Sequence, residues 1–135
     1  MGLYSDPFDL AGRLMMDAWR AARLVIDTGI HWMGWSRQQS IDFLLRHSAM
    51  TPDAAAAEVD RYIGMPGQAL AYKLGELSIR RLRAQAEKAL GGSFVLRQFH
   101  DVLVAAGPVT LPVLETFVDG WLRTKTVQTG VSAHE

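Results

Sequence analysis

The 135-residue sequence predicts an all-α fold, and three features of the sequence carry this prediction. Apolar residues recur every three or four positions along several stretches, which is the spacing of one face of a helix. No stretch alternates apolar and polar residues over the length of a strand, and clusters of β-branched residues are scarce outside the helical patterns. Gly and Pro fall mainly between the periodic stretches. We therefore expect a single compact domain of five or six helices over residues 1–126, followed by a flexible tail at residues 127–135.

Composition excludes several classes of partner. Fourteen basic and fourteen acidic residues cancel, and neither charge forms a long run, so we expect no nucleic-acid partner and no anionic membrane partner. The absence of Cys excludes disulfides, thiolate metal ligands and a Cys nucleophile from this sequence. No apolar run approaches the ~20 residues of a membrane span, and residues 1–9 lack the basic and apolar regions of a signal peptide. These features favour a soluble, cytoplasmic protein.

The first helix is predicted to begin at Asp6-Pro7, because Asp caps helices and Pro is tolerated in their first turn. Apolar residues then continue at helical spacing: Leu10, Leu14, Ala18, Ala21 and Val25. Charged residues follow the other side at spacings of three and four: Arg13, Asp17, Arg20, Arg23 and Asp27. This pattern is typical of a solvated face with ion pairs between successive turns.

Residues 28–35 interrupt that pattern with two Gly and concentrate two Trp, one Met and one His, which predicts an apolar loop. Ser36 with Gln39 forms a capping box and predicts a short second helix that ends near His47. Thr51-Pro52 predicts the start of a third helix, which ends at Gly64.

Pro66-Gly67 predicts the start of a long fourth helix that ends at Gly91-Gly92. Gly75 lies inside it at a cost of roughly 1 kcal/mol relative to Ala, so it either permits a close approach by a neighbour or is merely tolerated. A fifth helix is predicted from Phe94 to Ala106, and Thr110 is predicted to cap a last one.

The sequence contains no complete catalytic or metal-binding motif. Its histidines are His31, His47, His100 and His134. None stands three to five residues from another, and no His-Glu-x-x-His pair exists, so a self-contained zinc site is poorly supported. The glycine-containing segments 29–34 and 64–67 match neither the P-loop nor the dinucleotide-binding pattern.

The residues alone leave the role of several polar side chains open. His31 is in a Gly-flanked aromatic loop, where a packed, hydrogen-bonded histidine is commoner than a functional one. Tyr62 and Tyr72 flank the turn at residues 64–67, so their hydroxyls either share one cleft or are satisfied inside the core. Arg23 and Asp27, four residues apart, would ordinarily form a weak surface ion pair.

Longer motifs add a more specific signal. The longest are Arg20-Ala21-Ala22-Arg23-Leu24-Val25-Ile26-Asp27-Thr28-Gly29-Ile30-His31, Gly34-Trp35-Ser36-Arg37 and Pro66-Gly67-Gln68-Ala69-Leu70-Ala71-Tyr72-Lys73. Shorter matches are Leu3-Tyr4, Asp6-Pro7, Leu82-Arg83, Ala86-Glu87, Phe99-His100-Asp101 and Leu114. In these motifs, over nearly its whole length, the chain resembles the C-terminal part of the bacterial domain-of-unknown-function family 885.

Members of that family look like helical zinc peptidases of the gluzincin type, which hold zinc with His-Glu-x-x-His and a downstream Glu. In the family both elements lie upstream of the matched region. The resemblance therefore implies the C-terminal helical portion of a metallopeptidase-like hydrolase that is not catalytic alone, with zinc expected only in a full-length relative.

The resemblance also implies roles for individual residues. His31 and one of Tyr62 or Tyr72 would line the substrate cleft and donate hydrogen bonds to the scissile carbonyl oxygen. Arg23 and Asp27 would support that cleft. Gln68, four residues before Tyr72 on the same helix face, is a further cleft candidate, and the implied ligand is a peptide.

Two explanations for the chain remain open. Met1 is either an internal methionine of a longer protein or the start of a small protein that kept the helical scaffold as an interaction or oligomerisation module. Because a fragment cut from a larger helical protein exposes faces that packed on the missing part, we expect exposed apolar faces and a homo-oligomer, most simply a two-fold dimer. The residues expected in its interface are Met15, Met16, Trp19, Trp32 and Trp35.

Overall fold

A computed structural model describes residue 4 and residues 6–131, with side chains described up to residue 127. Its helices are α1 (Pro7–His31), α2 (Arg37–His47), α3 (Pro52–Gly64), α4 (Ala71–Leu90), α5 (Leu96–Ala105) and α6 (Leu111–Val131). Short 3₁₀ turns occupy Gln68–Leu70 and Gly91–Ser93. The described residues contain no strand, so the prediction of an all-α fold with five or six helices is confirmed.

The chain divides into two compact units, Met1–Leu74 and Gly75–Glu135, which we call the first and second units. Helix α6 continues to Val131, into the segment 127–135 for which a flexible tail was predicted. Residues 132–135, including His134, lie outside the described part of the chain. The predicted domain boundary at residue 126 stays a prediction.

Side-chain caps fix the starts of the first three helices where the sequence predicts them. Asp6, Ser36 and Thr51 accept hydrogen bonds from first-turn backbone amides at 2.8, 3.1 and 3.4 Å. These caps satisfy amide groups that have no partner inside the helix.

Helix α1 is longer than predicted, because residues 28–31 are helical rather than part of the apolar loop. Gly29 does not end the helix. It is buried, and a Cβ added to it would lie 2.5 Å from the ring of Trp35. Gly29 therefore gives the Trp35 ring room to pack directly against the α1 backbone, which explains why a glycine stands inside a helix here.

The start of the fourth helix also differs from the prediction. Gly67 has φ +81°, in the left-handed region that favours glycine, and caps the 3₁₀ turn Gln68–Leu70. The α-helical part begins only at Ala71. A Cβ added at Gly75 would meet no described atom within 4 Å, so a close approach there finds no support.

Each unit has its own hydrophobic core. In the first unit the buried apolar residues come mainly from α1, α2 and α3: Ala22, Ile26, Ile41, Leu44, Ala55, Val59, Tyr62 and Ala69. In the second unit they come from α4, α5 and α6: Leu82, Ala86, Leu90, Phe99, Leu114, Val118 and Leu122. Among the described helices, none has a stretch long and apolar enough to cross a lipid bilayer.

Candidate functional site

A group of polar and aromatic side chains, which we call the Arg23 cluster, lies inside the first unit. Its members are Trp19, Arg23, Asp27, Tyr62, Gln68 and Tyr72. Helix α1 supplies the first three, α3 supplies Tyr62, and the segment after Gly67 supplies the last two. Trp19, Arg23 and Asp27 are spaced one helical turn apart, which places them on one face of α1.

Arg23 and Asp27 are not the surface ion pair that their spacing predicts. Their residues are only 5% and 3% exposed, and the two side chains form no ion pair with each other. Asp27 instead accepts a hydrogen bond from the backbone amide of Gly67, at 3.1 and 3.0 Å to its two carboxylate oxygens. The carboxylate thus fixes the left-handed Gly67 turn against α1.

Three aromatic rings surround the Arg23 guanidinium. The guanidinium carbon lies 4.6 Å from the ring centroid of Tyr72, 5.5 Å from that of Tyr62 and 5.6 Å from that of Trp19. Rings at this distance attract a cation through their electron-rich faces. They compensate part of the free energy that burial of the charge costs.

Gln68 joins two arginines. Its side-chain oxygen accepts from Arg23 Nη2 at 2.9 Å and from Arg61 Nη1 at 3.1 Å. Arg61 is also paired with Glu58, one turn earlier on α3, at 2.6 Å. Arg23 Nε is buried and has no hydrogen-bond partner among the described residues.

The two tyrosines have different surroundings. Tyr62 is 1% exposed, and its hydroxyl accepts a hydrogen bond from Trp19 Nε1 at 2.9 Å. Burial, and then the hydrogen bond to Glu58, raise the pKa of Tyr62 above its ordinary range. Tyr72 is 50% exposed. Of the two hydroxyls that could line a cleft, only that of Tyr72 lies on a side chain that reaches solvent.

Glu58 is a partly buried carboxylate beside the cluster. Burial alone would raise its pKa, but the hydrogen bonds from Arg61 and Tyr62 outweigh this effect and the pKa of Glu58 is lowered. The carboxylate is therefore held in its charged form beside the Arg61 guanidinium.

His31, at the end of α1, contacts the cluster only through the backbone. Its Nε2 lies 3.0 Å from the carbonyl oxygen of Tyr62. A carbonyl oxygen only accepts, so Nε2 carries the proton, and in the neutral ring Nδ1 is an acceptor. His31 can therefore donate to an oxyanion only as an imidazolium, whereas the neutral ring can accept from a ligand N–H group.

The structure thus brings five of the predicted residues together, and His31 lies beside them. Three further contributors were missed by the sequence analysis: Trp19, Arg61 and the Gly67 amide. The spacing of Trp19, one turn before Arg23, was an available signal, since residues four apart share a helix face. The conformation of Gly67 also had a signal in the sequence, since Pro-Gly favours a type II turn, whose second central residue has a positive φ.

The described residues do not provide a metal site. No group of three or more His, Cys, Asp or Glu side chains among them could hold a metal ion. They therefore do not fit a zinc ion, and what the geometry offers instead is hydrogen bonding, stacking and positive charge.

The fold and the cluster define an all-α chain whose first unit buries a cation inside an aromatic and polar site. Over residues 1–118 the sequence matches the family described as "Bacterial protein of unknown function (DUF885)", and the chain belongs to this family. This confirms the family resemblance, whereas the link to gluzincin-type peptidases stays a prediction.

A solved structure has the same fold. It is described as "the crystal structure of the putative lipoprotein from Colwellia psychrerythraea", and the match has 44% sequence identity and a TM-score of 0.89. The match covers 91% of this chain and 21% of the other, so this chain spans about a fifth of the length of that protein. No curated protein matches the chain.

Proposed function

We propose that this chain is the C-terminal helical portion of a zinc-metallopeptidase-like protein and that its Arg23 cluster binds a peptide substrate. The observation that carries the proposal is the convergence of the predicted cleft residues on the Arg23 guanidinium and the adjoining Gly67 turn. Asp27 holds the turn through the Gly67 amide, and the half-exposed Tyr72 lies against the Arg23 guanidinium beside it. Polar groups that converge on a positioned turn are a common basis for ligand recognition.

The two accessible groups of the site, Tyr72 and His31, make different hydrogen bonds with the peptide. Tyr72 presents a hydroxyl that donates to a carbonyl oxygen of the peptide backbone, and its ring is held by the guanidinium below it. His31 accepts a peptide N–H at Nδ1, because its Nε2 proton is donated to the Tyr62 carbonyl. Tyr62 acts only from inside the core, through its contacts with Trp19 and His31.

The chain is proposed to be inactive alone. In peptidases of this design a bound zinc activates the attacking water, and three or more side chains hold the ion. The described residues do not fit such an ion, so we assign them substrate binding and no step of hydrolysis. Addition of zinc to the purified chain is accordingly expected to produce no peptide cleavage.

Peptide binding is the direct test of the proposal. Acetyl-pentaalanine amide, which carries no charge, would be titrated into the protein while Trp fluorescence is followed. We expect saturable binding that Tyr72→Phe weakens about 3- to 10-fold, as expected for the loss of one hydrogen bond. Tyr4→Phe is the matched control, since Tyr4 is 49% exposed and also lies near an arginine, Arg13.

Two results would count against peptide binding: no binding of the capped peptide, or equal loss in the two Tyr variants. Zinc-dependent cleavage by the chain alone would contradict only the statement that the chain is inactive alone.

A second function, self-association, is favoured by the apolar surface of α1 and of the residues after it. Met15 and Met16 are 50% and 41% exposed, and Trp32 is 85% exposed. Trp19 and Trp35 are only partly exposed, so in the proposed homodimer they lie below the contact surface. Large apolar side chains exposed to this degree support an interface there.

Sedimentation at micromolar concentration would test the dimer. We expect Trp32→Glu to shift the protein to monomers, because a charge would have to be buried in the interface. Val104→Glu is the matched control, since Val104 is 80% exposed and lies on α5 in the second unit. A monomer before any substitution would overturn this second proposal.

A further inference from the structure

Two arginines of the first unit bind carboxylates through the same edge of the guanidinium. Arg37 donates to Asp60 through Nε and Nη2 at 2.6 and 2.9 Å. Arg61 donates to Glu58 through Nε and Nη2 at 3.3 and 2.6 Å. This edge presents two parallel N–H groups, which match the two oxygens of a carboxylate.

Arg23 uses the same edge differently. Its Nη2 donates to the neutral amide oxygen of Gln68 at 2.9 Å, and its Nε has no partner although the residue is only 5% exposed. A buried donor without a partner is destabilising, and it is more so on a charged group. In Arg37 and Arg61 this edge faces two carboxylate oxygens, whereas in Arg23 it faces one amide oxygen. The Arg23 edge therefore lacks one acceptor.

The carboxylates near Arg23 are already used by other groups. Asp27 accepts from the Gly67 amide, and Glu58 is paired with Arg61. One neutral oxygen, that of Gln68, faces both Arg23 and Arg61. The position of this oxygen is therefore electrostatically suited to a negative charge.

We propose that Arg23 binds a carboxylate of the peptide ligand through Nε and Nη2, in the place of the Gln68 amide oxygen. Gln68 is only partly buried and Tyr72 is half exposed, so rotation of the Gln68 side chain opens a path to the guanidinium edge. The peptide character of the ligand rests on the proposed function. The carboxylate contact rests on the geometry of Arg23 itself.

The bound carboxylate can come from two parts of a peptide: its C-terminus, or the side chain of an acidic residue within it. Acetyl-trialanine, its C-terminal amide and acetyl-Ala-Glu-Ala amide separate them. We expect at least one of the two acids to bind about tenfold or more tightly than acetyl-trialanine amide. Whichever acid binds identifies the source.

Gln68→Glu tests the site without removing Arg23, whose loss could unfold the protein. The new carboxylate is expected to occupy Nε and Nη2 of Arg23, raise the thermal midpoint and weaken acid binding about tenfold or more. Gln39→Glu is the matched control, because it adds the same charge to an exposed position on α2. That variant is expected to bind the acids as the unchanged protein does.

The outcomes separate this inference from the proposed function. Equal binding of acids and amide, or unchanged acid binding by Gln68→Glu, overturns the carboxylate site and leaves the peptide cleft standing. Binding of the acids with no binding of acetyl-pentaalanine amide supports the carboxylate site and contradicts the proposed contacts of Tyr72 and His31 with the peptide backbone. Absence of binding by all four probes overturns both.

Discussion

The two units of the chain bury different kinds of side chain. The described core of the second unit is apolar, and the ion pairs described in this unit lie at the surface, as that of Arg81 with Glu115 does. The first unit has an apolar core of similar size and, in addition, buries Arg23, Asp27 and Ser40. The second unit shows that helices of this length pack without buried charge.

This difference supports a binding use for the Arg23 cluster. A buried charge costs several kcal/mol of desolvation, and apolar replacements for buried ionic groups are often neutral or stabilising. A buried guanidinium with an unpartnered Nε is therefore a poor choice for stability alone. In the proposed function, its contacts keep donors in place for a peptide, as preorganised binding sites do.

The largest expected effect is the loss of the Asp27 carboxylate. Asp27→Ala removes the acceptor of the Gly67 amide and is expected to cost about 1.5 to 3 kcal/mol of unfolding free energy. Asp119→Ala, in the second unit, removes the exposed partner of Gln85 and is expected to cost under about 0.5 kcal/mol. Urea denaturation of the two variants measures both values, and equal losses would remove the contrast between the units.

Gly29→Ala is expected to cost about 1 to 3 kcal/mol, because the new Cβ would overlap the Trp35 ring in a packed position. The same denaturation experiment applies, with the near-ultraviolet signal of the displaced Trp as a second readout. A neutral result would mean that Trp35 moves away without cost and does not close the end of α1.

The hydroxyl groups of the two tyrosines are expected to contribute differently to stability. Tyr62→Phe orphans the Trp19 N–H and is expected to cost about 1 to 2 kcal/mol, whereas Tyr72→Phe is expected to change stability by well under about 1 kcal/mol. Similar losses in the two variants would place Tyr72 in the core instead of the proposed cleft.

The pH dependence gives Tyr62 a further test. Because its pKa is raised in the folded protein, its contribution is complete below the ordinary tyrosine pKa of about 10 and is lost as pH rises above that value. We expect the stability difference between the unchanged protein and Tyr62→Phe to shrink between pH 9 and roughly 11. A difference that stays constant over this range would contradict the raised pKa.

The smallest effect is a gain. Gly75→Ala is expected to stabilise the protein by up to about 1 kcal/mol, since Gly75 has a helical position and space for a Cβ. Thermal denaturation detects it as a rise in midpoint. A lower midpoint would show that the absence of a side chain is needed at Gly75, as it is at Gly29.

The helical class, the capped helix starts and the family could all be predicted from the sequence because each depends on local or linear patterns. Asp6, Ser36 and Thr51 cap as their residue types predict. The end of α1 could not be predicted, because Gly29 does not end the helix. It lies inside α1 and leaves room for the Trp35 ring, and this contact is not visible in the sequence.

Burial separates the site residues in a way that spacing does not. Arg23 and Asp27 have the spacing of a surface pair, and only the packed structure shows that the Gly67 turn takes the Asp27 carboxylate. Tyr62 and Tyr72 flank one turn, and the sequence gives no sign that only Tyr72 reaches solvent. Both facts depend on contacts between residues about 40 positions apart.

The central claim is that the Arg23 cluster binds a peptide, and amide chemical shifts measured during a titration test it most directly. With acetyl-pentaalanine amide we predict saturating shifts at Gly67, Gln68 and Tyr72, with helices α5 and α6 unchanged. Tyr72→Phe is predicted to reduce these shifts at equal peptide concentration, and Tyr4→Phe is predicted to leave them as they are. Absence of shifts near Gly67, or shifts of equal size in α5 and α6, would contradict the claim.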